Sequence, residues 1–333
     1  MTSDLRIRFL DVGQGDAIVG ILPGGRRAFV VDVYDSQRVL DFLDSEGITE
    51  VVLFLTHSDR DHTAGAEELM VALTSDSRPT RFLGIFFSRD RINVRRRSAY
   101  RRLVRSVAFA QRSLSKNDPG VLSADFNTVL NQIPAFSAIF DPVRVYVAHP
   151  AKADQDSLIG VDTNETAGVL LVEHTVAPGV VRRALLTADV QLTGISLMLD
   201  RSEMLSLNAD VLKYPHHGAW PSDWPGFSEL GPEVQRRTMD DFFRRVMPAI
   251  VLFSVGRDNP YGHIRPEVFE LLTAYQTECG RLREVRWTQR TDACWQYRRL
   301  PVDGPPDDIV DEGDIEIRIG PFPDSDYVYV SQA

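Results

Sequence analysis

Four residues that can bind a metal ion occur within six positions of this sequence: His57, Asp59, Asp61 and His62. The apolar run before them, residues 51–56, is typical of a buried strand, so the four residues lie on the loop that leaves it. Neutral imidazole and ionised carboxylate are the forms that divalent ions bind. Alternate side chains would serve two ions, His57 and Asp59 one and Asp61 and His62 the other. By itself, such a cluster is equally compatible with a solvated polar turn.

Further polar residues stand beside other strand-like runs, where loops leave the predicted sheets. Active-site residues are commonly carried by loops that a rigid sheet holds in place. A carboxylate at such a position can bridge two ions, and imidazole, amide or phenol groups can bind metal or contact a substrate. These residues are Asp189 after residues 185–188, His216 and His217 after residues 210–215, Asn259, Tyr261 and His263 after residues 254–256, and Asn164 before the run that starts at residue 168.

Five motifs in this order resemble the metallo-β-lactamase domain of ComEC-type DNA-uptake proteins. The resemblance spans roughly residues 5–290, apart from an Arg-rich insertion. It implies an α/β fold, the αββα sandwich of two mixed sheets with outer helices, and the metal-dependent hydrolases, nucleases included, that the fold carries. The motifs are Phe9-Leu-Asp-Val-Gly-Gln-Gly-Asp16, the segment from His57 to His62, Leu186-Thr-Ala-Asp189, Leu212-Lys-Tyr-Pro-His-His-Gly218 and Asn259-Pro-Tyr-Gly-His263.

On this resemblance, the metal ligands are His57, Asp59, Asp61, His62, Asp189 and one of the two adjacent histidines. We favour His216, because it comes first after the strand, and expect His217 to support the ligands or to contact phosphate. The nucleophile is water whose pKa the metal lowers towards neutrality. Asp61 would orient or deprotonate that water.

Three other groups of residues complete the expected site. His263 would protonate the leaving oxygen or hold a phosphate. Lys213 would neutralise developing negative charge, or is simply a surface residue. Asn164, His217, Asn259 and Tyr261 are the remaining candidates for substrate contact in the loops.

The sequence departs from the pattern of many relatives at positions that affect metal choice. Asp59 stands where they have His, and a hard oxygen donor moves the preference from zinc alone towards manganese or magnesium. Asn164 stands where a third His is common, so one metal position would be weak or completed by substrate. Ala188 replaces a Gly, and Asp32 lies where a Gly-rich strand end is usual. We expect one or two divalent ions, manganese or zinc ahead of magnesium.

The elements that must position these residues follow from apolar periodicity. Residues 5–12, 17–22 and 28–33 predict strands, and residues 36–45 have helical spacing. Strands interleaved with helices indicate two sheets with outer helices. The turn that ends in Asp16 would support the metal site. We divide the chain into a metallo-β-lactamase-like domain, residues 1–300 with the insertion at about 78–142, and an acidic tail, residues 301–333, with a possible final strand at 315–319.

Composition limits the partners. The chain has 333 residues and a net charge of −10, which disfavours non-specific binding to nucleic acid or an anionic membrane. Its two cysteines are too few for a disulfide framework or a Cys-rich zinc site. No window approaches the roughly 18 apolar residues of a membrane span, so we expect a cytoplasmic protein.

The insertion is locally basic and includes Arg95, Arg96 and Arg97. These arginines would hold the backbone of a nucleic acid through phosphate contacts. Two other interpretations stay open: a solvated helix face, and docking to an acidic protein partner or to the chain's own acidic tail. The sequence leaves the oligomeric state open.

The first hypothesis is a metal-dependent phosphodiesterase, a nuclease acting on DNA, free in the cytoplasm because no channel region accompanies the domain here. A small-molecule metallo-hydrolase, acting on a cyclic nucleotide, phosphoester or lactone, is an alternative that the fold also supports. A partner-gated, non-catalytic subunit is a third.

Overall fold

Two β-sheets form the framework of the protein. The computed structural model describes residues 3–75, 78–87, 101, 104–109, 122–125, 140–151, 162–202, 205–223, 230–289, 291, 294, 313–321 and 328–332. The first sheet has the strand order β14-β13-β1-β2-β3-β4-β5-β6, and the second has the order β12-β11-β10-β9-β8-β7. The first sheet contains β1 (Leu5–Phe9), β2 (Ile18–Ile21), β3 (Arg27–Val31), β4 (Glu50–Leu55), β5 (Arg81–Phe87), β6 (Leu122–Asp125), β13 (Ile315–Ile319) and β14 (Val328–Gln332). The second contains β7 (Val143–His149), β8 (Val169–Ala177), β9 (Val180–Leu186), β10 (Val211–Lys213), β11 (Ile250–Phe253) and β12 (Glu284–Trp287).

Helices cover the outer faces of both sheets. Among the described residues the helices include α1 (Ser36–Ser45), α2 (Arg60–Thr63), α3 (Ala66–Leu73), α4 (Leu192–Asp200), α5 (Pro232–Val246) and α6 (Pro266–Cys279). Local sequence sets several of their ends. Asp35 caps α1 by accepting from the Arg38 amide, and Gly280 ends α6 in the left-handed conformation. None of the helices in the described part of the chain has the length and apolar character needed to cross a bilayer.

Three apolar layers hold the sandwich together. One lies between the sheets and joins strand residues such as Phe29 and Phe54 of the first sheet to Leu186 and Leu252 of the second. The other two fill the spaces between each sheet and its helices. Phe54 stacks on Phe86 with ring centroids 4.9 Å apart. This arrangement confirms the predicted αββα sandwich of two mixed sheets.

The residues of the C-terminal segment complete the first sheet. β13 covers the expected strand, Ile315–Ile319, and pairs antiparallel with β1, with Leu5 opposite Ile319. β14 extends the same sheet beyond β13. The predicted first strand, residues 5–12, ends earlier, at Phe9, because the chain then enters the turn that contains Asp16.

Parallel pairing determines where the polar loops meet. β3, β4 and β5 are parallel in the first sheet, and β9, β10, β11 and β12 are parallel in the second. The carboxyl ends of parallel strands lie along one edge of a sheet, where ligand sites of open α/β sheets form. Asp32, His57, Asp189, His217 and Ser254 all follow such strand ends.

Candidate metal centre

Two buried histidines from opposite sheets face each other at this edge. The Nε2 atoms of His62 and His217 are 3.2 Å apart. Nδ1 of His62 lies 2.7 Å from Asp32 Oδ2, and Nδ1 of His217 lies 2.7 Å from the carbonyl oxygen of Ser254. Because both of these oxygens only accept, each Nδ1 carries the proton and each Nε2 presents a lone pair. Two opposed lone pairs at this distance fit a shared cation.

Two carboxylates close the same cluster. Asp189 places Oδ1 3.2 Å from His62 Nε2 and Oδ2 3.4 Å from His217 Nε2. Asp61 Oδ2 lies 3.5 Å from His217 Nε2. Asp61, His62, Asp189 and His217 each offer a ligand atom within 4.8 Å of the others, so these four residues could hold one metal ion. The mixture of two imidazoles and two carboxylates suits zinc or manganese.

Electrostatics in the cluster favour a cation. Burial lowers the pKa of His217, but the carboxylates of Asp189 and Asp61 outweigh burial and raise it to about 9. Burial also lowers the pKa of His62, but the charges of Asp189 and Asp32 outweigh burial and raise that pKa well above its ordinary value. Burial raises the pKa of Asp189, while His217 and His62 hold it well below its usual range. A divalent ion would replace the protons that these groups otherwise share.

A second group of candidate donors surrounds His57. Its Nδ1 lies 3.0 Å from Thr56 Oγ1, and that hydroxyl donates to Asp32 Oδ2 at 2.6 Å. The hydroxyl has one proton, so it accepts from His57, and the His57 Nε2 lone pair is left free. This atom is buried and has no hydrogen-bond partner among the described residues. Burial first, and then the charge on His62, lowers the pKa of His57 to about 4, which keeps it neutral.

Asp32 supports both His62 and His57, although in the sequence it stands out only as a departure at a strand end. Its Oδ1 accepts from the Thr56 amide at 2.8 Å, and its Oδ2 accepts from Thr56 and His62. Asp32, His57 and His62 also lie close enough together to be a second possible metal group. We regard Asp32 as a support for the ligands instead, because its oxygens are already engaged with these donors.

Asp59 and Asn164 are the other residues expected at a second ion. Asn164 lies in a short 3₁₀ helix, Thr163–Thr166, and the hydroxyl of Thr163 donates to Asp59 Oδ1 at 3.3 Å. Asn164 is buried, and its Oδ1 makes no hydrogen bond within the described part of the chain. Nε2 of His57 and Oδ1 of Asn164 are thus both without hydrogen-bond partners among the described residues. Together with Asp59, these residues offer donors that suit an ion of harder, oxygen-preferring character.

Four residues at the site have left-handed backbones without being glycine. The φ angles are 59° at Asp32, 46° at Ala188, 49° at His216 and 54° at His217. Such conformations are uncommon for non-glycine residues and collect at functional sites, where the surrounding structure stabilises them. They turn the side chains away from the directions that an extended strand end would give.

The left-handed backbone separates the two adjacent histidines. His217 is buried and points into the cluster, whereas the His216 side chain is 21% exposed, with Nε2 3.7 Å from Asp189 Oδ2. His216 therefore lies at the rim, where Gln191 and the ring of His263 adjoin it. Its metal ligation stays a prediction, and the geometry favours His217 for the same role.

The loop from Asn259 to His263 forms the other side of the rim. The Asn259 side chain donates to the carbonyls of Gly256 and His263, each at 2.8 Å, and accepts from the His263 amide. These contacts engage Asn259 in bracing its own loop. Tyr261 is 60% exposed and stacks on His263, with ring centroids 5.7 Å apart. Burial and the nearby His216 lower the pKa of His263 to about 3.

Lys213 has no solvent-exposed surface. Its Nζ lies 2.5 Å from Asp16 Oδ2 and donates to the carbonyl of Ala188 at 3.1 Å. Because this ammonium group is fully buried, it cannot contact a substrate directly, and it can affect the site only through the residues that it bonds. Arg95, Arg96 and Arg97, the predicted phosphate contacts, lie outside the described residues.

Comparison of sequences finds a distant relative, and no protein-family model matches the chain. ComE operon protein 3 of Bacillus subtilis (strain 168) is 22% identical over 321 residues, which cover 90% of this chain and 34% of that protein. The chain therefore spans about a third of the length of this relative. The match confirms the ComEC-type resemblance that the five motifs indicated.

Comparison of structures finds solved proteins of limited similarity. The metallo-β-lactamase fold protein YhfI from Bacillus subtilis has a TM-score of 0.44 and 14% identity, with 86% of this chain and 97% of that chain covered. The short form of human tRNase Z has a TM-score of 0.36 and 15% identity, with coverages of 74% and 91%. A mutant of the CmlA β-hydroxylase has a TM-score of 0.48 and 13% identity, with coverages of 86% and 52%.

Proposed function

We propose that this protein is a metal-dependent hydrolase that cleaves phosphodiester bonds, with DNA as the substrate. The observation that carries the metal-dependent part is the pair of imidazole nitrogens, His62 Nε2 and His217 Nε2, that face each other at 3.2 Å beside Asp61 and Asp189. Imidazole nitrogens and carboxylates that converge in a buried cluster of strained loops suit a metal centre better than a structural core.

In this proposal Asp61, His62, Asp189 and His217 hold the first ion, and His57, Asp59 and Asn164 contribute to a second. Asp189 would be shared by the two sets, because its charge also acts on His57. A divalent ion held here supplies a Lewis acid for a phosphoryl oxygen and lowers the pKa of water towards neutrality. Three buried residues outside the ligand sets would hold the ligands in place: Asp32 through its bond to His62, and Lys213 with Asp16 through the carbonyl of Ala188.

Asp61 is the residue of the cluster best suited to orient the attacking water. Its side chain is 30% exposed, whereas Asp189 is 3% exposed. Burial raises the pKa of Asp61, but the hydrogen bond with His217 and the charge of His62 outweigh burial and hold it below its usual range. The carboxylate is therefore ionised at neutral pH and can accept a hydrogen bond from water.

His263 would contact the substrate rather than protonate it. A pKa of about 3 leaves the imidazole neutral, and a neutral imidazole donates a hydrogen bond but is a poor source of a proton at pH 7. We assign it a phosphoryl contact at the rim, beside Tyr261 and His216.

The choice of DNA rests on sequence. The five ordered motifs resemble those of ComEC-type DNA-uptake proteins, and the relative found by comparison belongs to a ComE operon. Oxygen donors at Asp59, Asp61 and Asn164 suit manganese or magnesium, which commonly act on phosphate groups.

The test is hydrolysis of labelled single- and double-stranded DNA by purified protein loaded with manganese, magnesium or zinc. Bis-p-nitrophenyl phosphate serves as a small phosphodiester in a parallel reaction. Asp61→Asn is the inactive variant, and Asp241→Asn, an exposed change on α5, is its matched control. Metal-dependent cleavage of DNA that is lost only in Asp61→Asn supports the proposal. Cleavage of the small ester alone would move the substrate to a small molecule, and no cleavage by folded, metal-loaded protein would overturn it.

A further inference from the structure

The carbonyl group of Ala188 receives two hydrogen bonds from different parts of the site. Lys213 Nζ donates to it at 3.1 Å, and the backbone amide of His216 donates at 3.0 Å. Ala188 has a φ of 46°, in the left-handed region where a Cβ atom is unfavourable. The next residue is Asp189, so the conformation of Ala188 sets the direction in which that carboxylate leaves the strand end.

The ammonium group that reaches Ala188 is itself fixed by a second carboxylate. Lys213 ends β10 of the second sheet, and Asp16 lies in the turn between β1 and β2 of the first. The two charged groups are 2.5 Å apart and have 0% and 1% exposure. A lysine can remain charged in such an environment only when it is paired, so Asp16 holds the ammonium where Ala188 needs it.

Backbone contacts of Lys213 reinforce the same turn. The hydroxyl of Thr187 donates to the carbonyl of Lys213 at 2.6 Å, and the amide of Val190 bonds the carbonyl of Thr187 at 3.2 Å. The turn from Thr187 to Val190 is therefore tied to β10 at its first residue, and the Lys213 side chain ties it at the second. Asp189 is the third residue, and it carries the carboxylate that faces both cluster histidines.

We propose that the Lys213–Asp16 ion pair is a positioning device that holds Ala188 in its left-handed conformation and thereby aims Asp189 at the metal. A glycine at position 188 would adopt the left-handed conformation without such support. In this protein the hydrogen bond from the buried Lys213 ammonium group stabilises that conformation at Ala188. This inference rests on the proposed metal site.

The test is a rescue experiment with glycine. Asp16→Asn with Lys213→Met removes the pair without leaving one buried charge alone, and Ala188→Gly is then added to it. Manganese affinity is measured by isothermal titration calorimetry, and the melting temperature of the metal-free protein is measured beside it. We expect the pair variant to bind manganese about 10–100-fold more weakly, in the range found when supports of metal ligands are removed. Adding Ala188→Gly should recover at least half of that loss on a logarithmic scale.

Two controls separate this role from general stabilisation. Ala188→Gly alone should change manganese affinity less than about threefold, because Lys213 already holds the turn. Met247→Gly, added to the pair variant, relieves another left-handed non-glycine residue, with φ of 55°, at the end of α5. It should raise the melting temperature and restore no affinity.

Three results would overturn the inference. In the first, the pair variant melts earlier but binds manganese as wild type does. In the second, Ala188→Gly restores no more affinity than Met247→Gly. In the third, neither the pair variant nor its Ala188→Gly derivative folds, which would make the pair a requirement of folding itself. Failure of wild-type protein to bind manganese, zinc or magnesium would instead overturn the proposed function.

Discussion

The carboxylate of Asp32 lies 2.7 Å from Nδ1 of His62, and it is also bonded to the hydroxyl of Thr56. One buried side chain therefore fixes the tautomer of His62 directly and that of His57 through Thr56. Carboxylates behind metal-binding histidines orient the ring and raise the basicity of the ligand nitrogen. Asp32 supports His62 in this way directly, and it supports His57 through the hydroxyl of Thr56.

Asp32→Asn should weaken metal binding while the fold is kept. The amide that replaces the carboxylate can present N–H to His62 Nδ1, which favours the tautomer with its proton on Nε2, where the metal should bind. We expect affinity for manganese or zinc to fall about 10–100-fold, as measured by calorimetry. Asp35→Asn, which retains the capping side chain of α1, is the control with unchanged affinity. Equal affinities in the two variants would contradict the assigned role.

The two adjacent histidines provide a matched pair of variants. His217→Asn removes a buried nitrogen that lies 3.2 Å from His62 Nε2, and His216→Asn removes one at the rim. We expect His217→Asn to lose tightly held metal, measured by elemental analysis after dialysis, and His216→Asn to retain it. His216→Asn should instead reduce turnover of substrate. Metal loss in His216→Asn alone would restore the ligand assignment made from sequence.

The metal-free protein should lose stability as the pH rises from about 6.5 to about 9. The pKa of His217 is raised from 6.5 to about 9 in the folded protein, mainly by Asp189 against the effect of burial, and that of His62 is raised as well. A raised pKa stabilises the fold fully below the unfolded value, and the contribution is lost as the pH passes the folded value. Urea unfolding of EDTA-treated protein across this range measures the effect.

His217→Asn should flatten that pH profile, because one of the two titrating imidazoles is gone. Metal-loaded protein should show the opposite trend, since the ion competes with protons and binds more tightly at higher pH. A metal-free stability that is constant between pH 6.5 and 9 in wild type would show that neighbouring carboxylates do not hold these imidazoles protonated.

Local patterns were sufficient to predict the loop from His57 to His62 and its place after β4, because the apolar run and the four candidate ligand residues are adjacent in sequence. Alternating strand and helix periodicities also predicted two sheets with outer helices, and the family resemblance implied that these form an αββα sandwich. The choice between His216 and His217 depends on two left-handed residues in succession, with φ of 49° and 54°. No spacing rule predicts that conformation for histidine.

Contacts between residues far apart in the sequence were the other feature that the sequence could not predict. The sequence predicts that Lys213 neutralises developing charge or lies on the surface, but the side chain is buried and pairs with Asp16 of the other sheet. β13 pairs with β1 across most of the chain, so an acidic segment that looks like a tail supplies part of the first sheet. Asp32 was visible only as an unusual residue at a strand end, because its partners come from the next strand and loop.

Asn164→His should shift the metal preference towards zinc. Asn164 Oδ1 is buried without a hydrogen-bond partner among the described residues, near the pair formed by Asp59 and Thr163. An imidazole there would add a nitrogen donor to the set of His57 and Asp59, and nitrogen donors favour zinc over manganese and magnesium. We expect zinc content after dialysis to rise towards two ions per chain, and Asn164→Ala should leave only the ion held by His62 and His217. The same metal content in all three proteins would show that Asn164 does not face a second metal position.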